Sequence, residues 1–162
     1  MNTRTFAHIY GIAFTLVGIA GFIPGLVTQP VAGGHTHLYP LKIGGYGEGY
    51  LFGLFHVNWV HSLVHVLFGV AGFAMSRKFT TAMWYARLVA GIYAILAVSG
   101  LFGGFDTMWG LMPIHGHDVW LHAVLALPAF YFGFIADPRD PTTTQAPSTG
   151  TDSQSSNIPQ QP

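Results

Sequence analysis

Six polar residues stand in two matching triplets within otherwise apolar sequence. Asn58, His61 and His65 fall at i, i+3 and i+7, and so do His115, Asp118 and His122. That spacing puts each triplet on one face of a helix. Histidine and aspartate within an apolar helix turn inward, to pair with one another or to line a functional path, so the two faces are expected to meet. Two i, i+4 pairs, His61 with His65 and Asp118 with His122, would bring together three imidazoles and one carboxylate. Such a set suits the inner shell of zinc, iron, copper or manganese. His65 and His122 would also serve as the two axial ligands of a haem b held between facing helices. Below them Gly69, Gly72, Ala126 and Ala129 would leave room for the macrocycle. Asn58 and His115 are supporting residues in either case. The same groups fit a proton or small-solute pathway. They also fit plain packing, with Asn58 and Asp118 satisfying orphan N–H groups at helix starts and the imidazoles hydrogen-bonding across helices.

The elements that must hold these residues are membrane helices. The chain of 162 residues is 51% hydrophobic and only 7% charged, far below the charge of a soluble domain. No Asp, Glu, Lys or Arg occurs in residues 5–41, 49–76, 88–105 or 119–136, and each stretch holds the roughly 20 apolar residues that span a bilayer. The sequence predicts an all-α, polytopic bundle of four spans, about 8–27, 57–75, 84–102 and 117–136. The first is too long for the apolar core of a signal peptide and lacks a small-residue cleavage site after it, so it counts as a span. Gly21-x-x-x-Gly25 and Gly100-x-x-x-Gly104 read as small-residue packing seams. Pro24 and Pro128 are expected to kink their spans.

Orientation follows from the cations. Arg4, Arg77, Lys78, Arg87 and Arg139 fall on the side of both termini and only Lys42 falls opposite, which predicts cytoplasmic termini. Trp59, Trp84, Trp109 and Trp120 sit near span ends, at headgroup level. The polar cluster then lies in the outer half of the membrane, with eight of the nine histidines on that side and His8 on the other. The outer segment 28–56 is Gly-rich, and Tyr46, Tyr50, Leu51, Phe52, Leu54 and Phe55 make its second half apolar enough for the membrane interface. From Asp137 onward 18 of the last 26 residues are Pro, Thr, Ser or Gln, a composition that cannot bury enough apolar area to order a tail.

The chain also matches itself. Shifted by 57 positions, residues 52–73 fall on 109–130: Gly53-Leu54 on Gly110-Leu111, His65 on His122, Gly69 on Ala126, Gly72 on Ala129 and Phe73 on Phe130. Asn58 and His61 meet His115 and Asp118, and a fainter match at an offset of 79 lays Gly21 over Gly100. Two tandem helical hairpins in the same orientation would give this pattern.

Other chemistries find no support. There is no cysteine, hence no disulfide, thiolate ligand or iron–sulfur cluster. No Walker loop, dinucleotide fingerprint, nucleophile elbow or zinc-protease motif occurs, and no nucleophile has an adjacent base, so an enzyme is the least supported class. A formal net charge of zero with no basic run argues against nucleic acid. The expected partners are membrane lipid and other membrane proteins.

The string from Leu51 to Gly69, with Asn58-x-x-His61-x-x-x-His65-x-x-x-Gly69 at its centre, and the later Asp118-x-x-x-His122 resemble a bacterial family of four-helix membrane proteins known only as a domain of unknown function. The likeness covers about residues 4–136. It implies the four-span fold and a bacterial membrane, and it implies no activity. At His56 the chain departs from the pattern, where members often carry the proline found in the second copy at Pro113, which sets His56 aside as a site residue. The expected role is a membrane accessory protein that binds a metal or haem. The rival is a structural or assembly subunit in which the cluster fixes helix register.

Overall fold

The computed structural model describes residues 1–28, 49–103, 105, 108, 111–114 and 116–136. His115, the loop centred on His35, Lys42, Trp109, Gly104 and the polar tail all lie outside the described residues.

Four helices dominate: α1 (Thr3–Ala20), α2 (Trp59–Met75), α3 (Phe79–Ser99) and α4 (His117–Phe130), the last continued by a π turn, Tyr131–Ile135. α1 starts and stops earlier than hydropathy suggested, and its limits have local causes. The Asn2 side chain accepts from the Thr5 N–H at 2.8 Å, capping the helix at residue 3. At the other end Ile23 is extended, as the residue before a proline must be, so Pro24 opens a short 3-10 turn, Pro24–Leu26, where a kinked span was expected. α3 likewise begins at Phe79, five residues before the apolar stretch from Trp84. Pro128 lies inside α4, just ahead of the π turn. A proline deprives the carbonyl one turn back of its N–H donor, and a π turn is one way for a helix to absorb that loss.

The all-α expectation is corrected by a small antiparallel sheet: β1 (Val27–Thr28), β2 (Gly49–Leu51) and β3 (Phe55–Val57), in that order. Val27 pairs with Leu51, and Leu51 pairs with Phe55. Part of the apolar segment expected to lie in the membrane interface is therefore a hairpin. Its turn places Phe52 and Gly53 at φ 54° and 73°, the left-handed region that glycine enters without steric cost. Val27, Leu51 and Val57 bury themselves beneath it with Ala20 and Phe55, and that local core outweighs the glycine content of the loop.

α1 packs along α2 and α3 along α4, and α1 crosses α3. α1 and α2 approach backbone to backbone: a Cβ on Gly72 would lie 2.8 Å from the Cα of Gly11, and one on Gly69 2.7 Å from the nitrogen of Thr15. Between the hairpins sit Phe6, Phe14, Tyr85, Val89, Tyr93, Ala129 and Phe132. Tyrosine hydroxyls inside the bundle are tied to main-chain carbonyls, Tyr10 to Leu125 at 3.0 Å and Tyr85 to Phe68 at 3.1 Å. Leu16, Leu67, Ile95 and Leu127 face outward, each more than half exposed. Two helices, Phe79–Ser99 and His117–Ile135, are long and apolar enough to cross a membrane.

Candidate functional site

Of the six polar residues, five are described, and they gather at the end of the bundle where α2 and α4 begin. Asn58, His61, Asp118 and His122 are all buried.

Asn58 and Asp118 serve the main chain. The Asn58 side chain caps α2, its Oδ1 accepting from the His61 N–H at 2.8 Å, while its Nδ2 donates to the Leu111 carbonyl at 2.8 Å. Asp118 was expected to cap its own helix or to bind a metal. Instead Oδ2 accepts from the His56 N–H at 3.2 Å, in the strand that leads into α2. The bonds are reciprocal. Asn58, ahead of α2, grips the segment ahead of α4, and Asp118, in the first turn of α4, grips the segment ahead of α2.

The imidazoles form a second layer. His65 Nδ1 lies 3.0 Å from the His61 carbonyl, and His122 Nδ1 lies 2.7 Å from the Asp118 carbonyl. A carbonyl oxygen can only accept, so the proton sits on Nδ1 and Nε2 of the neutral ring carries a lone pair. His61 is hydrogen-bonded to the main chain of His56, and its Nδ1 has no partner. Three lone-pair nitrogens therefore belong to one cluster: His61 Nδ1, His65 Nε2 and His122 Nε2. The rings of His61 and His65 are 4.7 Å apart between centroids, and those of His61 and His122 are stacked at 6.2 Å.

Tyr93 of α3, a residue that motif reading missed, completes the cluster. Its hydroxyl is 3.4 Å from His65 Nε2, and its ring centroid is 4.8 Å from that of His122. Its signal in the sequence is a tyrosine in the apolar second half of α3, between Leu88 and Val98. Phe14 of α1 backs both residues, stacked on Tyr93 at 5.4 Å and edge-on to His65 at 5.7 Å.

A cavity of about 90 Å³ lies to one side, between Val17, the β2–β3 hairpin and Leu125. Another of about 100 Å³ lies to the other, against Phe68, Leu96 and Met112. His61, His65, Tyr93 and His122 line both.

The model of a protein family described as a domain of unknown function, DUF4383, matches residues 4–135. The chain belongs to this family. The match takes in all four helices and the sheet, and so the whole cluster of this DUF4383 domain. No curated protein and no solved structure matches the chain.

Against the expected chemistries, the geometry separates the candidates. Ligand pockets usually span roughly 300–1,000 Å³, several times either cavity, and Tyr93 contacts both His65 and His122 where a macrocycle would have to pass. Gly69 and Gly72 do not make room for one either, because α1 fills the space beside them. For a metal, no three His, Asp or Glu among the described residues are gathered closely enough to hold an ion, since Asp118 is turned to His56 and His61 Nδ1 to neither partner. His56 itself contributes its main chain, while its ring stacks on Tyr50 at 4.9 Å.

Proposed function

We propose that this DUF4383 chain is a four-span membrane protein with cytoplasmic termini, built from two tandem hairpins. We further propose that its imidazole cluster binds one transition-metal ion as an accessory or metal-handling site in the outer half of the bilayer. Two helices satisfy the length and hydropathy of a span. α1 and α2, at 18 and 17 residues, are about 26 Å long at ~1.5 Å per residue. They carry outward-facing Ile12, Leu16 and Ile19, and Leu63, Leu67 and Val70, as lipid-facing stripes do. The domain division that goes with this reading is a membrane unit to residue 136 followed by a polar tail.

One observation carries the metal reading: His65 and His122 each spend Nδ1 on a main-chain carbonyl, which leaves Nε2 without a proton. Metal-ligating histidines are held in this way, the second nitrogen fixed by an outer-shell acceptor. Leaving His61 Nδ1 buried without a partner costs about 1–3 kcal/mol, a cost that a bound cation removes. Because no three His, Asp or Glu among the described residues already stand close enough for an ion, binding requires the His61 ring to turn toward His65 and His122, and imidazoles suit zinc, copper or iron.

The test is elemental analysis of full-length protein, purified in mild detergent from cells grown with zinc, copper and iron. Near-stoichiometric metal is expected, lost in His65→Ala and in His122→Ala and retained in Asp118→Asn. Wild-type protein that is empty and takes up none of the three metals on titration overturns the reading.

The spread of the three lone pairs favours a second reading, in which the cluster fixes the register of the two hairpins within a larger membrane assembly. In that case the His65→Ala and His122→Ala proteins lose stability, about 1 kcal/mol each, and no metal is ever found.

A further inference from the structure

At the opposite end of the bundle, the start of α1 and the end of α2 enclose a groove of about 650 Å³, lined by Asn2, Arg4, Thr5, His8, Phe73, Ser76 and Arg77. Its polar lining includes two guanidiniums and no carboxylate. Asn2 uses its Oδ1 to cap Thr5, which leaves its amide N–H₂ to donate outward. The Ser76 hydroxyl donates to the Phe73 carbonyl at 2.8 Å. Arg4 is anchored in place, its Nε donating to the Ser76 carbonyl at 3.2 Å, and Arg77 is exposed on the facing wall. Asp118, the one acidic residue among the described residues, sits at the far end of the molecule. Two guanidiniums, an amide and the Thr5 hydroxyl around one groove match the acceptor oxygens of a phosphate ester.

The groove also has an apolar continuation. Phe73 forms its floor, with the His8 ring edge-on at 5.3 Å. Above it, one helix face of α1 continues from Arg4 and His8 to Ile12 and Leu16. Arg77 lies in the turn just past α2, and Phe73 and Val70 continue along α2 itself. Ile12, Leu16 and Val70 are exposed, so an acyl chain could rise from the groove along the α1–α2 seam. We propose that the groove is a binding site for an anionic phospholipid of the cytoplasmic leaflet, its phosphate between Arg4 and Arg77. The proposal rests on the membrane placement above and is independent of the metal reading.

The full chain is reconstituted into vesicles of phosphatidylcholine alone and of phosphatidylcholine with phosphatidylglycerol, and lipid retained after gentle extraction is counted by native mass spectrometry. Wild type is expected to retain phosphatidylglycerol in preference to phosphatidylcholine. Arg77→Gln, an exposed change that leaves the helix contacts alone, should weaken retention about five-fold, the worth of about one cation at an anionic leaflet. Lys78→Gln, at the same end but outside the groove, should leave it unchanged. Arg4→Lys should fall between, keeping the charge and losing the fork. Equal losses for Arg77→Gln and Lys78→Gln would reduce the effect to general surface charge and overturn the site. Protection by inorganic phosphate in detergent without retained lipid would overturn the lipid as ligand. Failure to enter vesicles of phosphatidylcholine alone would sink the membrane reading along with the site, whereas entry without preference for phosphatidylglycerol sinks the site alone.

Discussion

The α1–α2 hairpin and the α3–α4 hairpin place the same groups at matching positions and tighten them by different means. In each, a histidine bonds the carbonyl four residues back, His65 to His61 and His122 to Asp118, and these pairs are 57 positions apart. In each, a glycine caps the first helix in the same αR conformation, Gly21 and Gly100, and faces the second helix at positions also 57 apart, Ser62 and Val119. The seams differ. Where α2 has Gly69 and Gly72 against the backbone of α1, α4 has Ala126 and Ala129, both buried in the core. The polar layer differs too, for the position of His61 in one copy holds Asp118 in the other. The two hairpins share the contacts that set the start of each second helix, and they differ in the side chains that join one hairpin to the other.

That contrast can be broken at the first seam. Gly72→Leu would drive a side chain into the backbone of Ala7 and Gly11 and should cost about 3 kcal/mol or more. Ala129→Gly in the second hairpin removes one methyl and should cost about 1 kcal/mol. Thermal unfolding in detergent measures both, and equal losses would show that the two seams are alike.

The reciprocal bonds come next. Asp118→Ala leaves the His56 N–H without this acceptor and should destabilise by about 1–3 kcal/mol. Asp118→Asn keeps an acceptor and should cost less than half as much. If Asn proves as damaging as Ala, charge rather than hydrogen bonding holds the hairpins together.

A smaller effect sharpens the comparison of the glycine caps. A Cβ at Gly100 meets the carbonyl of Ile114, which is backbone, whereas one at Gly21 meets the Ser62 hydroxyl, which can rotate. Gly100→Ala should therefore cost about 2 kcal/mol and Gly21→Ala under ~1 kcal/mol, with Ser62→Ala relieving only the latter. The smallest effect is expected from deleting residues 142–162, which lie beyond the family match at residue 135. Unfolding temperature should not change, and a drop would reveal a docking contact for the tail.

The helices and the convergence of the five described polar residues were legible in the sequence because both follow from periodicity: apolar runs set the elements, and inward-turned polar residues at helical spacing set the meeting face. Helix limits depended on single residues, the Asn2 cap and the Pro24 break. The sheet was missed because Val27, Leu51 and Val57 are far apart in sequence, and only pairing across the loop makes them one small core. The bond from the His56 N–H to Asp118 was missed because spacing along one helix says nothing of a strand 62 residues away. Tyr93 was missed because it belongs to neither triplet.

The reciprocal grip of Asn58 and Asp118 also sets an order of events during synthesis. The chain emerges from its N-terminus, so α1, α2 and their outer hairpin exist before residues 111–118 do. Until then the Asn58 amide has no Leu111 carbonyl and the His56 N–H has no Asp118. The first hairpin can pair its helices early through its glycines, yet the end that carries the sheet closes only when the second arrives. A ribosome stalled between the two would leave a hairpin that is packed at its middle and open at its mouth.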